Sequence, residues 1–201
     1  MPDRLPADDE GIARAAALLR NGELVAFPTD TVYGIGCRIG DADALGRLFA
    51  AKRRPVDKAV AWLIGSLAEV TAQGFVADER VMQLADRFWP GGLTLVLPAS
   101  EGAGTQAFRI PDHPVTVALL VAAGPLATSS ANRSGEPDTL DADDVAVAFA
   151  DSDEPAATLD GGRVPGGVAS SVLDLTAPKA RLLREGALPR AEIEALIGSI
   201  D

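Results

Sequence analysis

The chain has 201 residues, 47% of them hydrophobic, and a formal net charge of −11. These values predict one globular domain, residues 1–201, and they exclude a disordered chain. The acidic balance argues against tight nonspecific nucleic-acid binding, which depends on Lys and Arg. One cysteine excludes an internal disulfide framework. No apolar run reaches the ~18 residues that span a bilayer, and the N-terminus has no apolar signal segment, so we expect a cytoplasmic protein.

Helices and strands are predicted to interleave along the whole chain. In chain order they are a helix from 12, strand 24–27, a helix from 42, strand 60–64, a short helix after 66, helix 81–88, strands 93–97 and 106–110, helix 115–123, strand 125–128, helix 141–150, strands 156–159, 171–175 and 180–183, and helix 191–197. Asp41 is a predicted N-cap, and Ser66 with Glu69 has the spacing of a capping box. Several strand pairs lack a helical crossover, which favours an α/β fold with a mixed sheet.

The polar stretch from Pro28 to Gly34 follows the first buried strand. Pro28 cannot donate to a strand ladder, so the strand should end there. Thr29, Asp30 and Thr31 then place hydroxyls and a carboxylate at one end of the sheet, where open α/β sheets bind ligands. This stretch is predicted to hold a small polar substrate.

Four of the chain's 18 Lys and Arg residues fall between 52 and 58. Lys52, Arg53, Arg54 and Lys58 follow a predicted helix, and Pro55 ends that helix. A solvated helix end is the alternative, but so dense a basic segment is unusual in such an acidic chain. Arg binds phosphate through a planar fork and Lys acts as a point charge, so we expect this segment to bind phosphate.

Other polar residues have both a structural and a functional interpretation. The hydroxyl-rich segment 128–134 follows a strand, as an anion site or an ordinary turn would. Arg109 lies between apolar residues and needs an anionic partner, either a ligand or an acid of the protein. His113 and Cys37 are interpreted as structural, and the acidic stretch 136–154 as a solvated surface. No His, Cys or carboxylate cluster has metal-ligand spacing.

Seven short segments occur in a fixed order along the chain. They are 27–34 (Phe-Pro-Thr-Asp-Thr-Val-Tyr-Gly), 52–58 (Lys-Arg-Arg-Pro and a later Lys), 89–95 (Trp-Pro-Gly-Gly-Leu-Thr-Leu), 108–114 (Phe-Arg-Ile-Pro-Asp-His-Pro), 130–135 (Ser-Ala-Asn-Arg-Ser-Gly), 167–172 (Gly, then Ser-Ser-Val) and 183–186 (Leu-Arg-Glu-Gly). Together they resemble the YrdC/TsaC family of threonylcarbamoyl-AMP synthases, and the resemblance implies a domain core at about 11–197. The chain resembles the short, single-domain form without an additional C-terminal domain.

The resemblance implies a three-layer fold, in which helices flank a twisted mixed, largely antiparallel sheet around a deep cleft. It also implies a nucleotidyltransferase that makes threonylcarbamoyl-AMP and pyrophosphate from L-threonine, bicarbonate or CO₂, and ATP. Mg²⁺ would accompany the ATP phosphates. A separate tRNA-modifying complex would move the product's threonylcarbamoyl group to tRNAs that read ANN codons, and direct binding of tRNA would be weak.

The resemblance also assigns residues. The catalytic set is Lys52, Arg54, Ser130 and Asn132; the ATP contacts are Arg54, Lys58, Thr105, Ser130, Thr139 and Arg184; the threonine contacts are Thr31, Tyr33, Arg109, Thr128 and Ser170. Two alternatives stay open. One is a non-catalytic RNA-binding or ribosome-maturation protein of the same fold, against which the acidic balance counts. The other is an enzyme that uses carbamoyl phosphate, as related domains do inside much longer chains.

Overall fold

The structure is a computed structural model that describes residues 2–56, 58–166 and 168–201. Asp57 and Gly167, which belong to two of the segments above, lie outside the described residues. The strands are β1 Asp3–Pro6, β2 Val25–Phe27, β3 Gly34–Arg38, β4 Ala61–Leu63, β5 Leu93–Pro98, β6 Thr105–Arg109, β7 Leu126–Ser130, β8 Ala157–Asp160, β9 Ser171–Asp174 and β10 Arg181–Arg184. The helices are α1 Asp9–Arg20, α2 Ala42–Ala51, α3 Ala68–Ala72, α4 Glu79–Phe88, α5 Pro114–Ala123, α6 Ala142–Ala148 and α7 Arg190–Ile197.

In the described part of the chain, the ten strands form one sheet in the order β1-β8-β2-β3-β7-β4-β6-β5-β9-β10. Five of the nine pairings between these strands are antiparallel and four are parallel. The prediction of a mixed, largely antiparallel sheet is confirmed. Such a sheet is twisted, and helices on its faces supply the buried surface that it needs.

Alternate residues of the strands pack into different apolar clusters, as the two-residue period of a strand requires. Val25 and Phe27 face α1 and α5, whereas Ala26 faces α2 and α6. The strands β5, β6 and β9 bury their leucines and Phe108 against α3, α4 and α7. Helices therefore lie on both faces of the sheet, and the expected three-layer arrangement is confirmed.

Strands β1 and β3 were not predicted from the sequence, and the predicted capping box at Ser66 is wrong. Strand β3 contains Gly34 and Gly36, which are poor strand formers. Glycine is needed at position 36, because a Cβ atom there would lie 2.9 Å from Cγ2 of Thr128 on the neighbouring strand. Strand β1 is short and carries two charged residues and a proline. The capping box is absent: α3 begins after Leu67 without a side-chain cap, and Glu69 accepts instead from the N–H of Gly65 at 3.0 Å.

Side-chain caps fix the helices that flank the sheet. Asp8, Asp41, Asp78 and Asp141 each accept a hydrogen bond from a backbone N–H in the first turn of α1, α2, α4 and α6. The prediction for Asp41 is confirmed. These caps satisfy N–H groups that a helix start leaves without partners. Within the described residues, no helix has the length and apolar character needed to cross a bilayer.

Candidate functional site

Helices α1 and α5 cover only part of one face of the sheet. A cleft of about 490 Å³ opens on the uncovered part of that face. Its floor is a row of short side chains on four neighbouring strands. Thr128 pairs with Ala61, Ala61 with Ala107, and Ala107 with Val96. Because these side chains are short and no helix covers them, the row leaves room for a ligand directly on the sheet.

The cleft brings together residues that lie far apart in the sequence. Seven of the predicted site residues line it: Thr31, Arg54, Arg109, Thr128, Ser130, Ser170 and Arg184. They come from the loop after β2, the segment after α2, strands β6, β7 and β10, and the residue before β9. The expectation of a shared hollow that joins cations and hydroxyls therefore agrees with the geometry.

Arg109, at the end of β6, is buried at one end of the cleft. Its guanidinium donates to Asp30 at 2.6 Å, to Oγ1 of Thr31 at 3.1 Å and to the carbonyl of Gly91 at 2.9 Å. Burial lowers the pKa of Arg109, while the charge of Asp30 acts in the opposite direction. Of the two partners that the sequence left open for Arg109, the acid of the protein is present, and the guanidinium still faces the cleft.

The loop that carries Asp30 is fixed by its own hydroxyls. Oγ1 of Thr29 donates to the carbonyl of Val32 at 2.6 Å and lies 3.0 Å from Oγ1 of Thr31. Asp30 also accepts from the backbone N–H of Asp112 at 3.1 Å. The two contacts of the Asp30 carboxylate and the hydroxyls of Thr29 and Thr31 therefore hold this loop and the Arg109 side chain in one arrangement.

Arg54 lies at the other end of the cleft and is much less satisfied. It donates to the carbonyl of Ala59 at 2.7 Å, and its buried Nε has no partner among the described residues. Ala59 lies before the first residue of β4, and Leu63, which pairs with Arg109, is the last residue of β4. Arg54 and Arg109 therefore lie at opposite ends of this strand. Burial lowers the pKa of Arg54. An N–H without a partner at the edge of a cleft suits an anionic ligand.

Lys52 lies beneath the Arg54 end rather than in the cleft. Its buried ammonium group donates to the backbone carbonyls of Ser130 and Asn132, and its own carbonyl accepts from the N–H of Ser134 at 2.9 Å. Burial, followed by the charge of Arg54, lowers the pKa of Lys52 to about 8. Lys52 thus joins the end of α2 to the turn after β7.

The turn after β7 carries two more predicted site residues. The hydroxyl of Ser130 lines the cleft and donates to Oδ1 of Asn132 at 2.6 Å. The amide of buried Asn132 donates in turn to the carbonyl of Glu136 at 2.6 Å. Asn132 therefore orients Ser130 from outside the cleft lining.

A small hydroxyl network forms part of the cleft wall beside β5 and β9. Oγ of Ser170 lies 2.8 Å from Oγ1 of Thr94, and Arg184 donates to the carbonyl of Ser170 at 3.0 Å and to its hydroxyl at 3.3 Å. Thr94 is a site residue that sequence reasoning missed, although it lies inside the segment 89–95 that carries the family resemblance. Asp138 was missed as well, because the acidic stretch 136–154 was interpreted as a solvated surface, whereas this residue lines the cleft. Thr29 also lines the cleft and lies in the stretch predicted to hold a substrate.

Four predicted contact residues do not line the cleft. Tyr33 is fully buried, and Thr139 is buried with its hydroxyl donating to the carbonyl of Ala131 at 3.1 Å. Lys58 and Thr105 are exposed, and Thr105 begins β6 two residues before the cleft-lining Ala107. Thr105 therefore shares a strand face with the cleft, and the other three lie beside or behind it.

The cleft has one acidic side chain in its described lining, Asp138. No group of three or more His, Cys, Asp or Glu side chains in the described residues is arranged to hold a metal ion. Arg53, the neighbour of Arg54, is outside the lining and pairs with Asp151 at 2.6 Å. The electrostatic character of the cleft is therefore set mainly by its arginines.

Comparison with known proteins identifies the family. The Sua5, yciO and yrdC family model, which is described as telomere recombination, matches residues 17–186. The chain belongs to this family. As a member, it combines a family fold with a cleft that joins buried cations and hydroxyls.

Individual relatives agree with the family assignment. The threonylcarbamoyl-AMP synthase of Bacillus subtilis is 41% identical and covers 98% of this chain and 60% of its own length. The synthase of the same name from Pyrococcus abyssi is 43% identical and covers 92% of this chain and 57% of its own length. The crystal structure of P. abyssi Sua5 complexed with L-threonine is 39% identical, has a TM-score of 0.89 and covers 100% of this chain and 62% of that chain. The chain thus spans about three fifths of these relatives.

Proposed function

We propose that this family member is a threonylcarbamoyl-AMP synthase, a nucleotidyltransferase that uses L-threonine, bicarbonate or CO₂, and ATP. The amine of threonine adds to CO₂, loses a proton and becomes a carbamate. A carbamate oxygen then attacks the α-phosphorus of ATP, and the bond to the β-phosphate oxygen breaks with its electrons on pyrophosphate. The products are threonylcarbamoyl-AMP and pyrophosphate, and bicarbonate as the carbon source additionally yields water.

One observation carries the proposal: a single cleft joins the Thr31 and Arg109 end to the Arg54 and Ser130 end. The first end suits the carboxylate and side chain of an amino acid, since its lining combines the guanidinium of Arg109 with the hydroxyls of Thr31, Thr128 and Ser170. The second end suits a polyphosphate, which binds Arg and small hydroxyls. The names of the B. subtilis and P. abyssi relatives and the threonine complex of P. abyssi Sua5 support the same assignment.

At the threonine end, we assign the carboxylate of the substrate to Arg109. Three of the five guanidinium N–H groups are used within the described residues, which leaves donors for a ligand. Thr31, Thr128 and Ser170 would surround the rest of the amino acid. Tyr33 is too deeply buried to make a direct contact, so its predicted role changes from ligand to support.

At the ATP end, Arg54 and Ser130 would contact phosphate directly. Arg184, which the resemblance assigns to ATP, donates to Ser170 and its charge acts on Arg109, so it would meet the nucleotide from the threonine end of the cleft. Lys52 with Asn132 would act by holding the turn that carries Ser130. The exposed Lys58 and Thr105 lie where a nucleotide that extends beyond the cleft could reach them. Thr139 would act only through the backbone position of its neighbour Asp138.

Mg²⁺ fits this site as a companion of ATP rather than as a resident metal. Asp138 is the one carboxylate in the described lining, and few protein ligands are typical where Mg²⁺ binds substrate phosphates. When bound, the ion would neutralise charge on the phosphates. Asp138 and the hydroxyl of Ser130 are the side chains that could hold it or its waters.

The chemistry requires positioning and charge neutralisation more than a protein nucleophile. Holding the carbamate and the α-phosphate together converts a bimolecular encounter into an oriented one. Arg54, directed at the phosphates, would stabilise the charge that develops as pyrophosphate leaves. The product would pass, in the cytoplasm, to a separate tRNA-modifying transferase complex, and this chain would bind tRNA weakly because it is acidic.

The test is release of pyrophosphate from ATP by the purified chain in bicarbonate buffer with Mg²⁺, with and without L-threonine. We expect release that depends on threonine and on bicarbonate, with threonylcarbamoyl-AMP detected by mass spectrometry. RNA binding without threonine-dependent release would instead support the non-catalytic alternative. Release that depends on carbamoyl phosphate would support the alternative of an enzyme that uses carbamoyl phosphate.

A further inference from the structure

Tyr33 is the chain's one tyrosine, and it joins several segments around the cleft. Its hydroxyl donates to the carbonyl of Gly162 at 2.8 Å and accepts from the N–H of Gly161 at 3.2 Å. Its ring is fully buried beside Ile35 and Val164. One side chain therefore holds the backbone of two consecutive residues, Gly161 and Gly162, in the segment that follows β8.

The backbone of Tyr33 holds two further segments. Its N–H donates to the carbonyl of Thr139 at 2.9 Å, and its carbonyl accepts from the N–H of Ala131 at 2.7 Å. Ala131 follows Ser130, and Thr139 follows Asp138, and both preceding residues line the cleft. Tyr33 itself follows the loop of Thr31. A single residue thus connects the loop after β2, the turn after β7, the residues before α6 and the segment after β8.

The segment between β8 and β9, residues 161–166 and 168–170, is rich in glycine and runs to the cleft wall. Glycine leaves the backbone free to adopt many conformations, so side-chain anchors must set its path. Besides Tyr33, the anchors in the described residues include buried Val164, whose N–H donates to the carbonyl of Leu140 at 2.8 Å, and Arg163, which pairs with Asp141 at 2.6 Å. Ser170 itself accepts from Arg184. The segment ends at Ala169 and Ser170, which line the cleft.

We propose that the hydroxyl of Tyr33 is a positioning group that fixes the β8–β9 segment and thereby places Ser170 in the cleft wall. Burial raises the pKa of Tyr33 to about 12, so the hydroxyl keeps its proton and donates throughout the physiological pH range. The consequence for substrate affinity rests on the proposed function, in which Ser170 contacts threonine. The effect of the Tyr33 hydroxyl on the path of the β8–β9 segment does not depend on the proposed function.

Limited proteolysis tests the structural part. Arg163 is exposed within the segment, so trypsin can report on it by cutting the bond between Arg163 and Val164. In Tyr33→Phe we expect this cut to be about threefold to tenfold faster than in the wild type, the change that loss of about one hydrogen bond produces. Mass spectrometry identifies the cut, and Arg163→Gln in the same background should abolish it.

Thr158→Val is the matched control. It removes another buried hydroxyl, on β8 itself, that has no partner among the described residues. We expect wild-type cleavage at Arg163 in this variant. Equal cleavage of Tyr33→Phe and the wild type, or equal acceleration in both variants, would overturn the proposal.

Kinetics test the functional part. In Tyr33→Phe we expect the KM for threonine to rise about threefold to tenfold, while kcat and the KM for ATP change by less than about twofold. An inactive wild type would refute the proposed function and leave the trypsin result to decide the positioning role. An active wild type with an unchanged KM for threonine in Tyr33→Phe would overturn the inference.

A second variant keeps the test decisive if Tyr33→Phe does not fold. Val164→Ala loosens the other anchor of the same segment and leaves the hydroxyl of Tyr33 in place. We expect it to show the same two changes, faster cleavage at Arg163 and a higher KM for threonine. Wild-type behaviour in both measurements would show that the path of this segment does not matter to the cleft.

Discussion

The two arginines at opposite ends of the cleft are satisfied in opposite ways. Arg109 is buried with a carboxylate, a hydroxyl and a carbonyl around its guanidinium. Arg54 is half-buried, holds one carbonyl, and has a buried Nε without a partner among the described residues. Within the described residues, the protein therefore surrounds the guanidinium of Arg109 with acceptors and leaves one N–H of Arg54 without an acceptor.

This difference separates positioning from binding strength. A buried ion pair contributes little net stability, but it fixes geometry, since breaking it leaves an uncompensated charge. A buried N–H without a partner costs about 1–3 kcal/mol, and a bound anion would recover that cost. We therefore expect substitutions at the Arg109 end to affect folding first and substitutions at the Arg54 end to affect turnover first.

Arg54→Ala should produce the largest effect on activity. We expect kcat/KM for ATP to fall by about 10³-fold, the scale seen when a cation that stabilises a transferring phosphoryl group is removed. The melting temperature should stay close to that of the wild type, because the side chain makes one hydrogen bond and carries an unpaired buried N–H. Pyrophosphate release and thermal unfolding measure the two quantities.

Arg53→Ala is the matched control, since it removes a neighbouring cation that pairs with Asp151 outside the cleft lining. Activity within about twofold of the wild type is expected. Near-wild-type turnover in Arg54→Ala, or equal losses in both variants, would remove Arg54 from the site.

Asp30→Ala should affect stability most. It leaves Arg109 buried without its carboxylate, so we expect the free energy of unfolding to fall by about 3 kcal/mol. Urea denaturation measures this change. Asp151→Ala removes an exposed carboxylate that pairs with Arg53 and Arg133, and we expect a much smaller loss because exposed charges are screened by water. Comparable losses of unfolding free energy in the two variants would show that the buried pair of Asp30 and Arg109 contributes no more to stability than an exposed pair.

Lys52 should make the Arg54 end of the cleft sensitive to pH, because its buried ammonium group supports the turn that carries Ser130. Burial and Arg54 lower its pKa to about 8 in the free protein, and a bound polyphosphate favours the protonated form. The KM for ATP should therefore be constant below pH 8 and rise above it, by at most about tenfold per pH unit. Lys52→Met should have a high KM at every pH without this rise. The same rise in Lys52→Met would assign the titration to another group.

Sequence reasoning predicted the seven helices and eight of the ten described strands because apolar periodicity and cap residues act locally. The helix capped by Asp41 is an example, since three or four neighbouring residues determine it. The cation-and-hydroxyl cleft was expected from the polar and basic motifs. Sequence reasoning failed at strand β3, where Gly36 is required by Thr128 on the neighbouring strand and not by any local preference. The same limit applies to the Asp30 partner of Arg109, which is 79 residues away in the chain.

Tyr33 and Lys52 show a second limit. Both lie in segments that the sequence marks as functional, and both face backbone groups rather than the cleft. A motif identifies which residues matter, but only the three-dimensional arrangement distinguishes a residue that contacts the ligand from one that holds its neighbours. Thr94 is the converse case, because it faces the cleft from a segment to which the sequence assigned no site residue.

Thr94→Val gives the smallest and most selective expected effect. It removes the hydroxyl 2.8 Å from Ser170 and keeps the shape of the side chain, so Ser170 retains only the contact from Arg184 at its hydroxyl. A neutral hydrogen bond contributes about 0.5–1.5 kcal/mol, so we expect the KM for threonine to rise about threefold, with the KM for ATP unchanged. Steady-state kinetics with each substrate varied in turn measure both constants. A rise in the KM for ATP instead would mean that this wall serves the nucleotide, and the assignment of the two ends of the cleft would then have to be reversed.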